Sequence, residues 1–393
     1  MKQKNLSLAM TFMFFTIVTF CFILSGCDPV LLASGPELQT NAYVYDGKYN
    51  MVQVPVPPGG ITFPIGIEDD DTATVDRAFY IGDSEVTIGL WYAVSNWATN
   101  EKGGDRYDFI YFTKHPYYPI ENLAYPMHDV TYIQILVWCN AYTEWYNEKY
   151  ETNLTPVYTN RLGNPIRRAM APINPSFQYD GPSYHDRLND YLEAYPDMRP
   201  YLNNEPTSGT GFRLPTEEEW ELAARWNGND NTNTVTAVIN EIDFSAQPVK
   251  FTKGNSASGA GAEASNLAET NKYAWFANEA SYTNAYNNFG WFSNSGFSLH
   301  IPKTKLPNAL GLYDMSGNLQ EYTYHIIYFD IASETDVWGH TTARAPYPFA
   351  WTKGGFFENT EDGFQYTAVG SGFAVDATSY NYYYGFRIVR DSE

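Results

Sequence analysis

The chain has 393 residues, 44% of them hydrophobic and 17% aromatic, which is ample material for a large core. It carries 45 Asp and Glu against 24 Lys and Arg, a formal net charge of −21, with no basic block or heptad run to offset it. A field of that sign repels phosphate backbones and anionic lipid headgroups, which excludes nucleic acid as a partner of the body.

At the N-terminus, Lys2 and Lys4 precede an apolar run over residues 6–23, which Leu24-Ser25-Gly26-Cys27 closes. A charged start, an apolar stretch and small residues at its end predict a secretory signal over residues 1–26. The closing tetrad resembles the lipobox of bacterial lipoproteins, which implies that the Cys27 thiol is acylated and begins the mature chain. An uncleaved anchor is the alternative, since about 18 apolar residues nearly span a bilayer. The lipobox reading places the protein, lipid-anchored, at a bacterial outer membrane or cell surface, with polar residues 27–48 as a tether. Cys21 leaves with the signal and Cys139 is then alone, so the mature chain forms no intramolecular disulfide and no Cys-rich metal site.

From Met51 the pattern becomes that of a folded domain. Met51-Val52-Gln53-Val54 alternates, Pro and Gly break it, and residues 61–67 read as a second strand ending at Asp69-Asp70-Asp71. Phe79-Tyr80-Ile81 leads to Glu85-Val86-Thr87 and an amphipathic stretch over residues 88–99. Thr131 is a candidate N-cap for a longer helix over 132–149. Residues 160–208, rich in Pro, Asn and Tyr, read as an insertion with a short helix near 186–194. Thr216, with Glu219 three residues on, makes a capping box for a helix reaching Trp226. Residues 227–270 are low in apolar content, and 272–393 read as short strands and loops. Without an internal repeat or a sharp composition shift, residues 49–393 are expected to form one domain.

Four phrases carry a family resemblance. They are Pro58-Gly59-Gly60 with Glu85-Val86-Thr87, the run from Gly211-Phe212-Arg213-Leu214-Pro215-Thr216 through Trp220 to Arg225, Pro307-Asn308-Ala309-Leu310-Gly311-Leu312-Tyr313-Asp314-Met315-Ser316-Gly317-Asn318, and Gly385-Phe386-Arg387. Together, over about residues 50–390, they resemble the formylglycine-generating-enzyme (sulfatase-modifying-factor) family. The resemblance implies an α+β, C-type-lectin-like fold, loop-rich, with few regular strands and about two main helices. The motif residues are expected to maintain the fold. Trp220, Leu222, Ala223 and Ala224 pack inward, Arg213, Arg225 and Arg387 bond loop carbonyls, and Gly311 and Gly317 take positive φ.

In the stretch from Asp314 to Glu321 two carboxylates bracket a glycine turn, an oxygen-rich setting suited to a hard cation. The resemblance implies a structural calcium held by the side chains of Asp314 and Glu321 and the carbonyls of Gly317 and Leu319. A turn cap in which these groups bond backbone amides is the alternative. No catalytic cofactor is expected. The family's enzymes need two cysteines after a Gly-Gly near the C-terminus, whereas here Lys353-Gly354-Gly355-Phe356-Phe357-Glu358-Asn359 stands there and no Cys follows Cys139. Cys139, beside Val137 and Trp138, reads as a buried small hydrophobe. The six histidines show no paired ligand spacing for an iron site.

The 29 residues from Phe356 to Tyr384 contain nine aromatics and no Lys, Arg, His, Cys, Leu, Met, Pro or Trp. Tyr and Phe among Ser, Gly, Asn and Asp form the palette of antibody loops, where rigid rings give contact area at little entropic cost. Composition and position together resemble the lipoprotein variable proteins of diversity-generating retroelements. In those, asparagine codons before Gly-Phe-Arg are rewritten to Asn, Tyr, Ser, Asp, Phe, Ala, Val, Gly or Thr. The resemblance implies a variable region over about 351–390. Its ligand-binding set is Phe357, Asn359, Asp362, Phe364, Tyr366, Ala368, Ser371, Phe373, Val375, Asp376, Ser379, Tyr380, Tyr382, Tyr383 and Tyr384. The expected function is non-catalytic display of these side chains to a macromolecular ligand, a protein or a surface glycan. A divergent oxidase of the same family and a structural envelope lipoprotein are the alternatives.

Overall fold

The structure, a computed structural model, describes residues 49–101, 107–109, 123–160, 162–169, 209–276, 299–329, 334–335, 341–342, 347–356, 367–377 and 381–392. The signal, Cys27, the tether and the expected helix near 186–194 lie outside them. Strands β1 (Met51–Val54), β2 (Ile61–Ile65), β3 (Asp71–Val75) and β4 (Phe79–Gly82) come first, then helices α1 (Ile88–Asn96), α2 (Tyr132–Tyr150) and α3 (Glu217–Arg225). The hairpin β5 (Val238–Ile239) and β6 (Ile242–Asp243) and the single turn α4 (Leu267–Thr270) occupy the stretch of low apolar content. Seven strands finish the chain: β7 (Gln320–Phe329), β8 (Glu334–Thr335), β9 (Thr341–Thr342), β10 (Tyr347–Lys353), β11 (Gly372–Asp376), β12 (Tyr384–Gly385) and β13 (Val389–Asp391).

The fold is α+β, with short strands and long irregular connections. One sheet has the order β1-β4-β13, so the C-terminal strand returns to lie beside β4. The other has the order β11-β10-β7-β12, antiparallel except where β12 lies parallel to β7. Among the described residues there are two large hydrophobic clusters and a small third one around Ala257, Ala260, Ala274 and Phe276. The largest surrounds α1 and α2, and the second lies between β1–β4 and α3.

Helix α2 is central because its sequence is apolar on nearly every side. Residues from Tyr132 to Thr143 are all buried, and Trp138 stacks on Trp91 of α1 at 5.4 Å and on Tyr142 at 5.2 Å. Its start is a capping box: Thr131 Oγ1 accepts from the Gln134 amide and Gln134 Oε1 accepts from the Thr131 amide, satisfying two donors that a helix start leaves open. Cys139 on this helix is fully buried, and burial pushes its thiol up, so it is an inert packing residue. Helix α3 has the expected box between Thr216 and Glu219, and it buries Trp220, Leu222, Ala223 and Ala224 completely. The stretch read as one amphipathic helix over 88–99 is α1 followed by a π-helical turn at Trp97–Glu101. Gly311 and Gly317 take φ of +86° and +76°.

Candidate functional site

Helix α3 fixes both ends of the C-terminal segment. At the first end, Lys353 closes β10 with its side chain fully inside the protein, and its Nζ donates to Glu221 Oε2 of α3 at 2.7 Å. Burial alone would push Glu221 up, but Lys353 and Arg225 outweigh it and hold its carboxyl below the usual range. Arg225 extends the network to Asp69 and to the carbonyls of Gly66 and Thr252, which ties the acidic turn after β2 to α3.

The second end is Gly385-Phe386-Arg387. A Cβ at Gly385 would meet Leu319 Cδ1 at 2.6 Å and the Met127 carbonyl at 3.0 Å, a close approach that suits glycine. Phe386 presents its ring edge-on to Trp91 and Trp138, at 5.9 and 5.5 Å. The fully buried Arg387 forms a fork on Glu321, with Nε to Oε2 at 2.6 Å and Nη2 to Oε1 at 2.5 Å. It also donates to the carbonyls of Gly82 and Tyr313. Trp220 Nε1 of α3 donates to Glu321 Oε2 at 2.8 Å, so neighbouring residues Trp220 and Glu221 hold the two ends. The expected arginine-to-carbonyl bonds are present for all three, with Arg213 donating to the Leu214 carbonyl at 3.2 Å. Each of the three arginines is also matched to a carboxylate, with Arg213 on Glu219 and Asp391.

Between these ends the segment is part interior and part surface. Thr367, Ala368, Val369 and Ser371 are buried, with the Val369 and Gly370 amides bonded to the Ser256 and Gly254 carbonyls. Ala368 and Ser371 therefore pack inside the body and leave the expected ligand-contacting set. Val375 is also buried, opposite Ala350 on β10. Phe373 and Tyr384 are half-buried against the main cluster, Tyr384 with its ring on Tyr322, so they serve packing as well as surface. Tyr382 and Tyr383 are half-exposed at the turn before β12, their rings 4.0 Å apart and their hydroxyls meeting. Phe356 lies 4.3 Å from Tyr383 and completes an aromatic patch. Asp376 lies on β11, while Phe357, Asn359, Asp362, Phe364, Tyr366, Ser379 and Tyr380 lie outside the described residues.

The expected calcium ligands sit on one turn, but Glu321 is a poor donor to a divalent ion. Its carboxylate already faces the Arg387 guanidinium and the Trp220 N–H, and a second cation would meet that guanidinium at contact range. Asp314, at φ +53°, accepts from the Lys303 amide through Oδ2 at 2.7 Å, as the cap reading expects. Its Oδ1 and the Oε2 of Glu85 are buried without hydrogen-bond partners. Burial, then the charges of Asp314 and Glu321, push Glu85 well above the ordinary carboxylate range. Burial likewise pushes Asp314 up to about 6. Among the described residues no group of three His, Cys, Asp or Glu could hold a metal. Arg387 supplies the positive charge of this turn. The residues present do not fit a calcium built on Glu321.

Residues 47–392 match the family described as the sulfatase-modifying factor enzyme 1-like domain. The chain belongs to that family. The buried Arg387–Glu321 pair, the α3 capping box and the Gly-Phe-Arg end described above all lie within the matched residues. Among solved structures it is similar to Treponema denticola variable protein 1, at 22% identity and a TM-score of 0.46, covering 87% of this chain and 95% of that one. It is also similar to CarF, at 17% identity and a TM-score of 0.44, covering 88% of this chain and 99% of that one. PvdO from Pseudomonas aeruginosa follows at 15% identity and a TM-score of 0.38, covering 87% of this chain and 94% of that one. No curated protein matches the chain.

Reading the motifs singles out Arg387 and Trp220, and Glu321 as a calcium ligand, but not the bonds that join the three, nor the pairing of Lys353 with Glu221. Glu221 and Arg225, four apart on one helix, are the local signal for that network.

Proposed function

We propose that this protein is a non-catalytic lipoprotein, displayed at the cell surface through Cys27, whose C-terminal segment presents diversified side chains to a macromolecular ligand. The observation that carries this reading is the contrast within one loop: both ends are clamped by buried ion pairs, while Phe356, Tyr382 and Tyr383 form a half-exposed aromatic patch between them. Side chains on such a patch can change without opening a cavity or leaving a buried group unpaired. The menu of residues over 356–384, limited to what rewritten asparagine codons encode apart from Glu358, Glu361 and Gln365, supports diversification. The absence of any Cys after Cys139 in the sequence supports a non-catalytic role, because the family's thiolate chemistry has no residues here to perform it. Among the described residues no helix is long and apolar enough to cross a membrane.

The test is genomic. A near-copy of codons 350–390, with Asn codons at the surface positions and a reverse-transcriptase gene beside it, is the expected result. A locus without such a copy refutes diversification and leaves an invariant lectin-like binder.

A further inference from the structure

Resting on that reading, we infer that Asn381, which lies outside the expected ligand-contacting set, is the positioning residue of the aromatic patch. Its role follows from the turn that returns the segment to the body. The Tyr384 amide donates to the Asn381 carbonyl at 3.2 Å, which closes a four-residue turn with Tyr382 and Tyr383 at its corner. The Asn381 side chain closes a second ring inside the first, its Oδ1 accepting from the Tyr383 amide at 3.1 Å. Asn, Asp and Ser suit the first position of such a turn because a short side-chain acceptor reaches the amide two residues on.

The body grips the same turn from outside. The Asp129 amide donates to the Asn381 carbonyl at 3.3 Å, and the Gln320 amide donates to the Tyr383 carbonyl at 2.9 Å. Of the bonds that hold the corner, the one to the Tyr383 amide depends on a side chain, and that side chain is Asn381. The corner in turn places the rings. Consecutive side chains of an extended strand point to opposite faces. Tyr382 and Tyr383 are consecutive, yet their rings lie 4.0 Å apart with their hydroxyls meeting, and Phe356 sits 4.3 Å from Tyr383. A folded-back corner is what brings these rings to one side. Without the Asn381 acceptor the corner opens to other backbone conformations, in which the rings separate. A patch formed part of the time binds more weakly in proportion to that fraction, whereas one formed in advance avoids the cost of ordering its side chains on binding.

The test uses the full-length lipidated chain in detergent. Peptides are selected on wild type from a phage-displayed random library, and those that lose binding to a Tyr382→Ser/Tyr383→Ser variant serve as the probe. Asn381→Ala removes the acceptor, whereas Asn381→Asp and Asn381→Ser put one back, with and without charge. The expected result is about tenfold weaker binding to the Ala variant, equivalent to a patch formed about one-tenth of the time, with recovery in at least one acceptor variant. Hydrogen exchange at the Tyr383 amide should quicken at least about tenfold in the Ala variant and stay slow wherever binding recovers, while all three variants melt with wild type. An Ala variant that binds as wild type does overturns the inference. Recovery in neither acceptor variant also overturns it, because the Asn381 amide is then a contact of the ligand. An Ala variant that melts well below wild type overturns it too, because Asn381 then serves the fold at large. All three outcomes leave the display reading standing. If no ring-dependent peptide emerges although the double Ser variant melts with wild type, the display reading fails and this inference with it.

Discussion

Replacing Arg387 by Met removes the charge at the centre of the scaffold while keeping much of the side-chain volume. Glu321, fully buried, would retain only the Trp220 N–H, and the carbonyls of Gly82 and Tyr313 would each lose a donor. Breaking a buried ion pair from one side costs about 3–5 kcal/mol. Each buried acceptor left open adds about 1–3 kcal/mol, less where a neighbouring donor moves in. A loss of at least about 4 kcal/mol is therefore expected, a large share of the roughly 5–15 kcal/mol that folded domains hold. Adding Glu321→Leu to Arg387→Met removes the stranded carboxylate and is expected to recover about 2 kcal/mol of that loss. Urea unfolding of wild type, both single variants and the double variant, compared at a common m-value, measures the coupling. An Arg387→Met variant within about 1 kcal/mol of wild type, or a double variant no better than the sum of the singles, would refute the clamp.

Tyr382→Ser and Tyr383→Ser are expected to change stability by about 0.5 kcal/mol or less each, whereas Tyr384→Ser, which strips the ring from Tyr322, costs about 2 kcal/mol; thermal melts separate the two classes. Burial raises Asp314 to about 6, above the ordinary Asp value of about 4, so its contribution to stability is fully present below about pH 4 and is lost as pH rises through about 6. Asp314→Asn keeps an acceptor for the Lys303 amide and should flatten the stability profile between pH 4 and 6, while an unchanged profile removes Asp314 from it. Because Arg387 already provides the charge at this turn, chelator and millimolar calcium should leave the melting temperature where it is; a rise with calcium would restore the ion. Cys27→Ser should abolish partitioning into detergent, and Cys139→Ser should not; equal partitioning of Cys27→Ser and wild type refutes the lipid anchor.

Helix starts are legible because their causes are local. Thr131 with Gln134 and Thr216 with Glu219 lie three residues apart, and each pair closes on itself whatever the rest of the chain does. The anchors are not legible in that way. Arg225 meets Asp69 across 156 residues, Lys353 meets Glu221 across 132 and Arg387 meets Glu321 across 66, and no spacing rule connects them. The segment before Gly385 is legible as unusual, but its division into inside and outside is not. Thr367, Ala368, Val369 and Ser371 are small enough to suit either a tight interior turn or a variable surface, and only packing against Gly254 and Ser256 decides. The expected calcium illustrates a different limit: the turn is present, but the Arg387 guanidinium that forks on Glu321 comes from the C-terminal end of the chain, which spacing within the turn does not reveal.

Trp220 and Glu221 are consecutive on α3, one reaching the carboxylate under Arg387 and the other reaching Lys353. Consecutive residues of a helix differ in height by about 1.5 Å, so a rigid gauge sets where the loop leaves the body and where it returns. The entropy of closing a loop depends on its length and the position of its ends, and each doubling of length adds only about 0.6 kcal/mol. Substitutions between Gly355 and Gly385 leave both quantities alone. Every sequence carried on this gauge meets the same closure entropy, and folding does not discriminate among them on that ground.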